Sequence, residues 1–155
     1  PPTYEGRFLQ ETRIEDHERV LIVGSGSGFL AACASRLGNE VVAVDIVERF
    51  NVNAEAITRE LGYTNITYQT GDIRDIYQDL GTFDVVIFTG SLPEMPAAYF
   101  ELLNEKGRIL ATVGQKNAMH VTLFTKVAGE IRTEPVYERD LERLIGFEDK
   151  PQFEF

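Results

Sequence analysis

Apolar residues in this chain gather in short runs that stop at glycine or at an acid, with more polar stretches between them. Val20-Leu21-Ile22-Val23 is unbroken and ends at Gly24. Glu40 to Asp45, Phe83 to Phe88 and Arg108 to Val113 have the same character. Such runs suit strands buried on both faces of a parallel sheet. Between them, Phe29 to Leu37 is rich in Ala and Leu and reads as a helix closed by Gly38, and Glu48 to Leu61 reads as a polar helix closed by Gly62. Thr3 to Thr12, with Pro2 near its start, suits a short helix. Asn65 to Gln69 is a short strand, Ile73 to Leu80 a weak helix or turn, and Pro96 to Asn104 a helix. After Gly114 the alternation stops. His120 to Val127 and Ile131 to Tyr137 are extended runs joined by Ala128-Gly129-Glu130, the pattern of a hairpin. Leu141 to Phe147 carries no clear periodicity, and Phe153-Glu154-Phe155 suits an added edge strand or a docked tail. The sum is an α/β fold: a mostly parallel sheet of about seven strands flanked by helices, with an antiparallel C-terminal hairpin.

Length and charge narrow the partners. The 155 residues are expected to form one domain, residues 1–155. Fifteen Lys and Arg against 25 Asp and Glu leave a net charge of −10, without a basic stripe. Nucleic acid is therefore not an expected partner, since its phosphates would be repelled. No apolar run approaches the roughly 20 residues of a membrane span, and Pro1-Pro2-Thr3-Tyr4 is no signal peptide. A single cysteine, Cys33, excludes an intrachain disulfide and a cysteine-rich zinc site. The expectation is a soluble, cytoplasmic protein. His17, His120 and Cys33 are expected to be structural.

The chemistry concentrates at Gly24-Ser25-Gly26-Ser27-Gly28, placed directly after one strand and before one helix. Glycines there let a ligand approach the main chain, and the helix start offers free N–H donors. A dinucleotide-binding loop would place its third glycine at position 29, which is Phe29. Asp45 ends the second strand 21 residues after Gly24, where an acid can accept hydrogen bonds from ribose hydroxyls or serve as a solvated strand-end acid. Asp72, after Gly71, suits equally an N-cap for the residues from Ile73 and an acceptor for an adenine amino group. The fourth strand leads into Thr89-Gly90-Ser91-Leu92-Pro93-Glu94-Met95-Pro96, at the strand ends where open parallel sheets bind ligands. Together these features point to an adenosine-type ligand.

Val20 to Leu30 resembles the first motif of class I S-adenosylmethionine (SAM) methyltransferases, which have a Rossmann-like fold. Leu61 to Ile66, Gly71-Asp72, Phe83 to Ile87, Thr89 to Pro96 and Gly107 to Gly114 resemble protein-L-isoaspartate O-methyltransferases in particular. The resemblance implies S-adenosyl-L-methionine as cofactor. It implies a site from Gly24, Ser25, Gly26, Gly28, Asp45, Ile46, Asp72, Ile73 and Thr89, and substrate contacts from Ser91, Pro93 and Glu94. It implies methyl transfer to the carboxylate of an isoaspartyl residue in a protein or peptide, as in protein repair, and names no catalytic side chain. Two departures stand out. Where the family has an acid two residues before the first glycine, this chain has Ile22, which is expected to face the crevice and weaken the hold on the cofactor's ammonium group. Only 19 residues precede Val20, where the family carries a longer lead-in with a Ser/Thr stretch, so turnover by this chain is expected to be weak. Two other readings stand beside it: a methyltransferase-like scaffold that no longer binds SAM, and an NAD-binding oxidoreductase domain, against which Phe29 argues.

Overall fold

The computed structural model describes residues 2–149 except Ser25 and Ser27. Phe153 to Phe155 lie outside the described residues. The elements run α1 (Pro2–Thr12), β1 (Arg19–Val23), α2 (Phe29–Leu37), β2 (Glu40–Asp45), α3 (Glu48–Glu60), β3 (Ile66–Thr70) and α4 (Ile73–Ile76). A single 3-10 turn, Tyr77–Asp79, leads to β4 (Phe83–Leu92); a second, Ala97–Leu102, leads to β5 (Leu103–Val113), β6 (His120–Val127) and β7 (Glu130–Glu138).

One seven-stranded sheet holds them in the order β3-β2-β1-β4-β5-β6-β7. The first five strands in chain order pair in parallel, and β6 and β7 are antiparallel. The chain leaves β1 toward β2 and β3, then returns to place β4 on the other side of β1. That reversal splits the connections at the carboxyl ends of β1 and β4, where a ligand crevice opens in sheets of this kind.

The apolar strand runs are buried on both faces, as their composition requires. On one face Val20, Ile22, Val41, Ala43, Val85 and Ile87 meet Phe8 of α1 and Leu30, Ala31 and Ala34 of α2. On the other, Leu21, Val23, Val42, Val44, Val86 and Phe88 meet Ile73, Tyr99 and Leu102. Ile22 is completely buried in the first of these clusters. The expectation that it faces the crevice is thus corrected: alternation along β1 gives it the same side as Val20, and α1 and α2 cover that side.

Three element boundaries differ from the sequence reading. The fourth strand continues to Leu92, with its register to β5 shifted between Ile87 and Ser91. Beyond the shift Ser91 and Leu92 pair with Thr112 and Val113 of β5, and Ser91 also finds a partner far along the chain: its N–H donates to the Glu142 carbonyl (2.8 Å) and its carbonyl accepts from Leu144 N–H (2.9 Å). The expected helix at Pro96–Asn104 is only a 3-10 segment, and β5 begins at Leu103 instead of Arg108. The hairpin forms as read. Ala128 (φ 53°) and Gly129 (φ 77°) both lie in the left-handed region, the signature of the turn that matches strand twist.

Candidate functional site

A cavity of about 450 Å³ opens over the carboxyl ends of β1, β2 and β4. That falls within the range of about 300–1,000 Å³ usual for small-molecule sites. Gly24, Gly26, Asp45, Ile46, Asp72, Ile73 and Thr89 all stand on its wall, so seven of the nine expected cofactor residues converge. Ser25 lies outside the described residues. Gly28 does not reach the wall. It stands before α2 at φ 84°, and a Cβ there would come within 2.8 Å of Ala54 Cβ, so its glycine lets α2 and α3 approach each other.

Asp45 is 6% exposed at the end of β2. Its carboxylate accepts from the Gly26 N–H (3.2 Å) and the Val47 N–H (2.9 Å), which ties the glycine loop to the start of α3. A carboxylate offers about four acceptor sites, so two backbone donors leave it able to take further hydrogen bonds from a molecule in the cavity. Thr89 closes the loop from the other side. Its hydroxyl donates to the Val23 carbonyl (3.1 Å) and to the Gly24 carbonyl.

Asp72 takes the first of the two roles left open by the sequence, the N-cap. It caps α4, accepting from Arg74 N–H at 3.0 Å, and it lines the cavity. The Arg74 guanidinium grips the same carboxylate at 2.5 Å and, with burial opposing, holds it below the usual carboxylate range. Arg74 also donates to the Gly146 carbonyl at 2.7 Å. Behind it Tyr99 is buried, and burial together with the Asp72 charge pushes its hydroxyl up to about 12.

The remaining wall was not legible locally. Tyr4 from α1, Phe50 from the first turn of α3, and the irregular stretch Leu141 to Ile145 complete it. Phe50 follows the strand-end acid by five residues, and a helix that starts at a strand end turns its first residues toward the crevice; that signal was available. The 141–145 stretch has no such signal, because what fixes it is the distant end of β4.

Ser91, Pro93 and Glu94 are absent from the cavity wall. Ser91 is fully buried; its hydroxyl donates to the Leu141 carbonyl (2.8 Å) and lies 3.3 Å from an Arg143 guanidinium nitrogen. The expected substrate contact at Ser91 is therefore corrected to an anchor for the segment that forms the wall. Pro93 is half-buried and Glu94 exposed beyond it. His17 is exposed, not a core residue, and neither it, His120 nor Cys33 lies on the wall. Among the described residues no helix is long and apolar enough to cross a membrane.

The comparisons agree with this geometry. The family model for protein-L-isoaspartate(D-aspartate) O-methyltransferase matches residues 2–139. A protein-L-isoaspartate O-methyltransferase of Roseiflexus sp. is 35% identical over 139 residues, which is 90% of this chain and 64% of that relative. The chain thus spans a little under two thirds of the relative's length. A solved protein-L-isoaspartate O-methyltransferase superposes with a TM-score of 0.82 at 25% identity, covering 94% of this chain and 47% of that one. A Plasmodium falciparum structure described as a protein-L-isoaspartate O-methyltransferase in complex with S-adenosyl-L-homocysteine shares the fold, with a TM-score of 0.76 at 22% identity over 90% of this chain and 71% of that one. With the glycine loop, Asp45, Asp72 and Thr89 around one cavity and the family match running through all seven strands, the chain belongs to the protein-L-isoaspartate O-methyltransferase family.

Proposed function

We propose that this chain binds S-adenosyl-L-methionine and forms the methyl-transferring domain of a cytoplasmic enzyme that acts on isoaspartyl carboxylates of damaged proteins. The observation that carries the reading is the Asp45 carboxylate, nearly sealed from solvent, bonded to the glycine loop and with acceptor capacity left on the cavity side. The residues present fit the cofactor. Asp45 would hold ribose hydroxyls. Ile46 and Ile73 offer apolar surface to a purine, and Asp72 offers a carboxylate at the rim. When bound, SAM supplies a methyl group already activated by its sulfonium. The acceptor carboxylate is ionised near pH 7 and needs no base. The residues of this chain have only to orient and to exclude water, and orientation alone contributes up to about 7–11 kcal/mol in favourable reactions. This accounts for a wall that carries no histidine or cysteine among the described residues.

The test uses SAM labelled in its methyl group and two peptides identical except for an isoaspartyl or an aspartyl linkage. Base-labile label on the isoaspartyl peptide alone is the expected result. Equal labelling of both peptides, or binding of NAD in preference to SAM, would overturn the assignment. A chain that binds neither SAM nor its demethylated product is the scaffold of the alternative reading.

A further inference from the structure

Among the described residues, Arg143 carries the only cationic side chain on the cavity wall. That side chain is 10% exposed, so its charge needs a partner. The guanidinium Nη1 donates to the Ser91 hydroxyl oxygen at 3.3 Å, and the Ser91 proton goes on to the Leu141 carbonyl at 2.8 Å. The other edge of the guanidinium, Nε and Nη2, meets Asp149. Both bonds, at 3.3 and 2.9 Å, end on one oxygen, Oδ1. A carboxylate facing that edge squarely would make two parallel bonds, the stronger arrangement. Asp149 is itself 56% exposed, and an ion pair with a partner so open to water contributes little. It is a replaceable counter-ion on a fork built for a carboxylate.

The strand order says which carboxylate. Asp45 ends β2 and Asp72 follows β3, so the adenosine half of the cofactor belongs at that side of the sheet. β1 and β4 come next in the order, each about 4.8 Å further across. The sulfonium end of a molecule that starts at Asp45 therefore lies over β1 and β4. The segment that carries Arg143 stands at the same place: Ser91 of β4 bonds to Glu142 and Leu144, and a Cβ on Gly24, just past β1, would meet Leu144 Cδ1 at 2.8 Å.

We propose that the Nε–Nη2 edge of Arg143 receives the substrate carboxylate that accepts the methyl group, and that Asp149 holds this edge until the substrate displaces it. The inference rests on the methyl-transfer reading above and adds to it a substrate-binding residue from outside the family motifs. A carboxylate has about four acceptor sites, so two bonds to the fork leave a lone pair free to take the methyl group. Methylation removes the negative charge with no proton to move. The fork then faces a neutral ester, which it holds less well than the anion, and Asp149 returns as the product leaves.

The experiment is calorimetry on the chain saturated with S-adenosylhomocysteine, which has no methyl group to transfer. The titrants are an isoaspartyl peptide with blocked termini, so that the isoaspartyl carboxylate is its only one, and the same peptide with that group as a carboxamide. On the unaltered chain the carboxylate form should bind at least tenfold more tightly than the carboxamide. Asp149→Asn should tighten the carboxylate form at least threefold, and neither result depends on a variant at Arg143 folding. Arg143→Gln should weaken the carboxylate form at least tenfold, to the level of the carboxamide, with S-adenosylhomocysteine affinity held within twofold. Equal binding of the two peptides by the unaltered chain, a carboxylate preference that survives Arg143→Gln, or no gain in Asp149→Asn would each overturn the proposal. Arg143→Gln that weakens S-adenosylhomocysteine tenfold would overturn it too, by giving the guanidinium to the cofactor's own carboxylate. Binding of S-adenosylhomocysteine with neither peptide form would overturn the isoaspartyl reading, and failure to bind S-adenosylhomocysteine would overturn the SAM reading itself.

Discussion

Ile22 and Asp45 show how single positions on a strand end divide between core and site. Both follow from the two-residue alternation of strands, yet the alternation alone does not say which face is covered. The family resemblance placed Ile22 at the crevice; the packing of α1 and α2 places it in the core. Ile22→Glu should accordingly bury a charge with no recorded partner and lower the melting temperature sharply, whereas Ile22→Val should cost only about 1 kcal/mol. Thermal melts of the two variants check this, and a well-folded Ile22→Glu would contradict the burial. Asp45 has a double load. Because it also holds Gly26 and Val47, Asp45→Ala should lower the stability of the ligand-free chain by about 1–3 kcal/mol, the scale of hydrogen bonds to a charged group. Reading the sequence alone, one would expect stability to change little, since the loop donors are visible only once the loop is folded against β2.

At the scale of elements, the parallel strands and the helices between them were legible because their apolar runs are long and their ends are punctuated by glycine. The end of β4 was not. Its last residues pair with Thr112 and Val113 on one side and with Glu142 to Leu144, fifty residues away, on the other, so no window of local sequence contains its partners. The same contact builds the cavity wall, which is why Leu141 to Ile145 escaped the reading. Gly90 sits at that crossing, and a Cβ on it would come within 2.7 Å of the Leu144 backbone. Gly90→Ala should push the segment off the strand. Faster hydrogen exchange at the Leu144 amide and weaker cofactor binding are the expected outcomes, and unchanged exchange would refute the anchoring role. The hairpin offers the opposite kind of change. Ala128 holds φ 53° without being glycine, while the Glu105 carboxylate accepts from its N–H and from that of Gly129. Left-handed backbone costs an alanine roughly 1–2 kcal/mol, and asparagine visits it readily. Ala128→Asn should therefore stabilise the chain by about 1 kcal/mol, measured by denaturant unfolding.

For the molecule as a whole, polarity runs from a structural end to a chemical end. At the amino ends of the strands Arg108 locks α1 to the sheet, donating to the Thr12 carbonyl at 2.8 Å and pairing with Glu18 at 2.5 Å. Burial raises the Glu18 carboxyl, but the hydrogen bonds from Arg108 and the Glu15 N–H and the Arg108 charge outweigh it, leaving the group below its ordinary value of 4.5. A carboxyl depressed in the folded chain contributes stability that is fully present above the unfolded value and is lost as pH falls through the folded one. Stability measured from pH 6 downward should thus drop below about pH 4.5, and Glu18→Gln should flatten that part of the curve. At the carboxyl ends lies the cavity, framed by the glycine loop, Asp45 and the segment anchored on Ser91. The central claim is that this cavity is a SAM site organised by Asp45, and calorimetric titration of S-adenosylhomocysteine into the chain and into Asp45→Ala tests it most directly. The account expects binding by the unaltered chain, with the affinity of Asp45→Ala lower by about 1.5–3 kcal/mol, roughly ten- to a hundredfold. Equal affinity in the two proteins, or heat from NAD and none from S-adenosylhomocysteine, would contradict it.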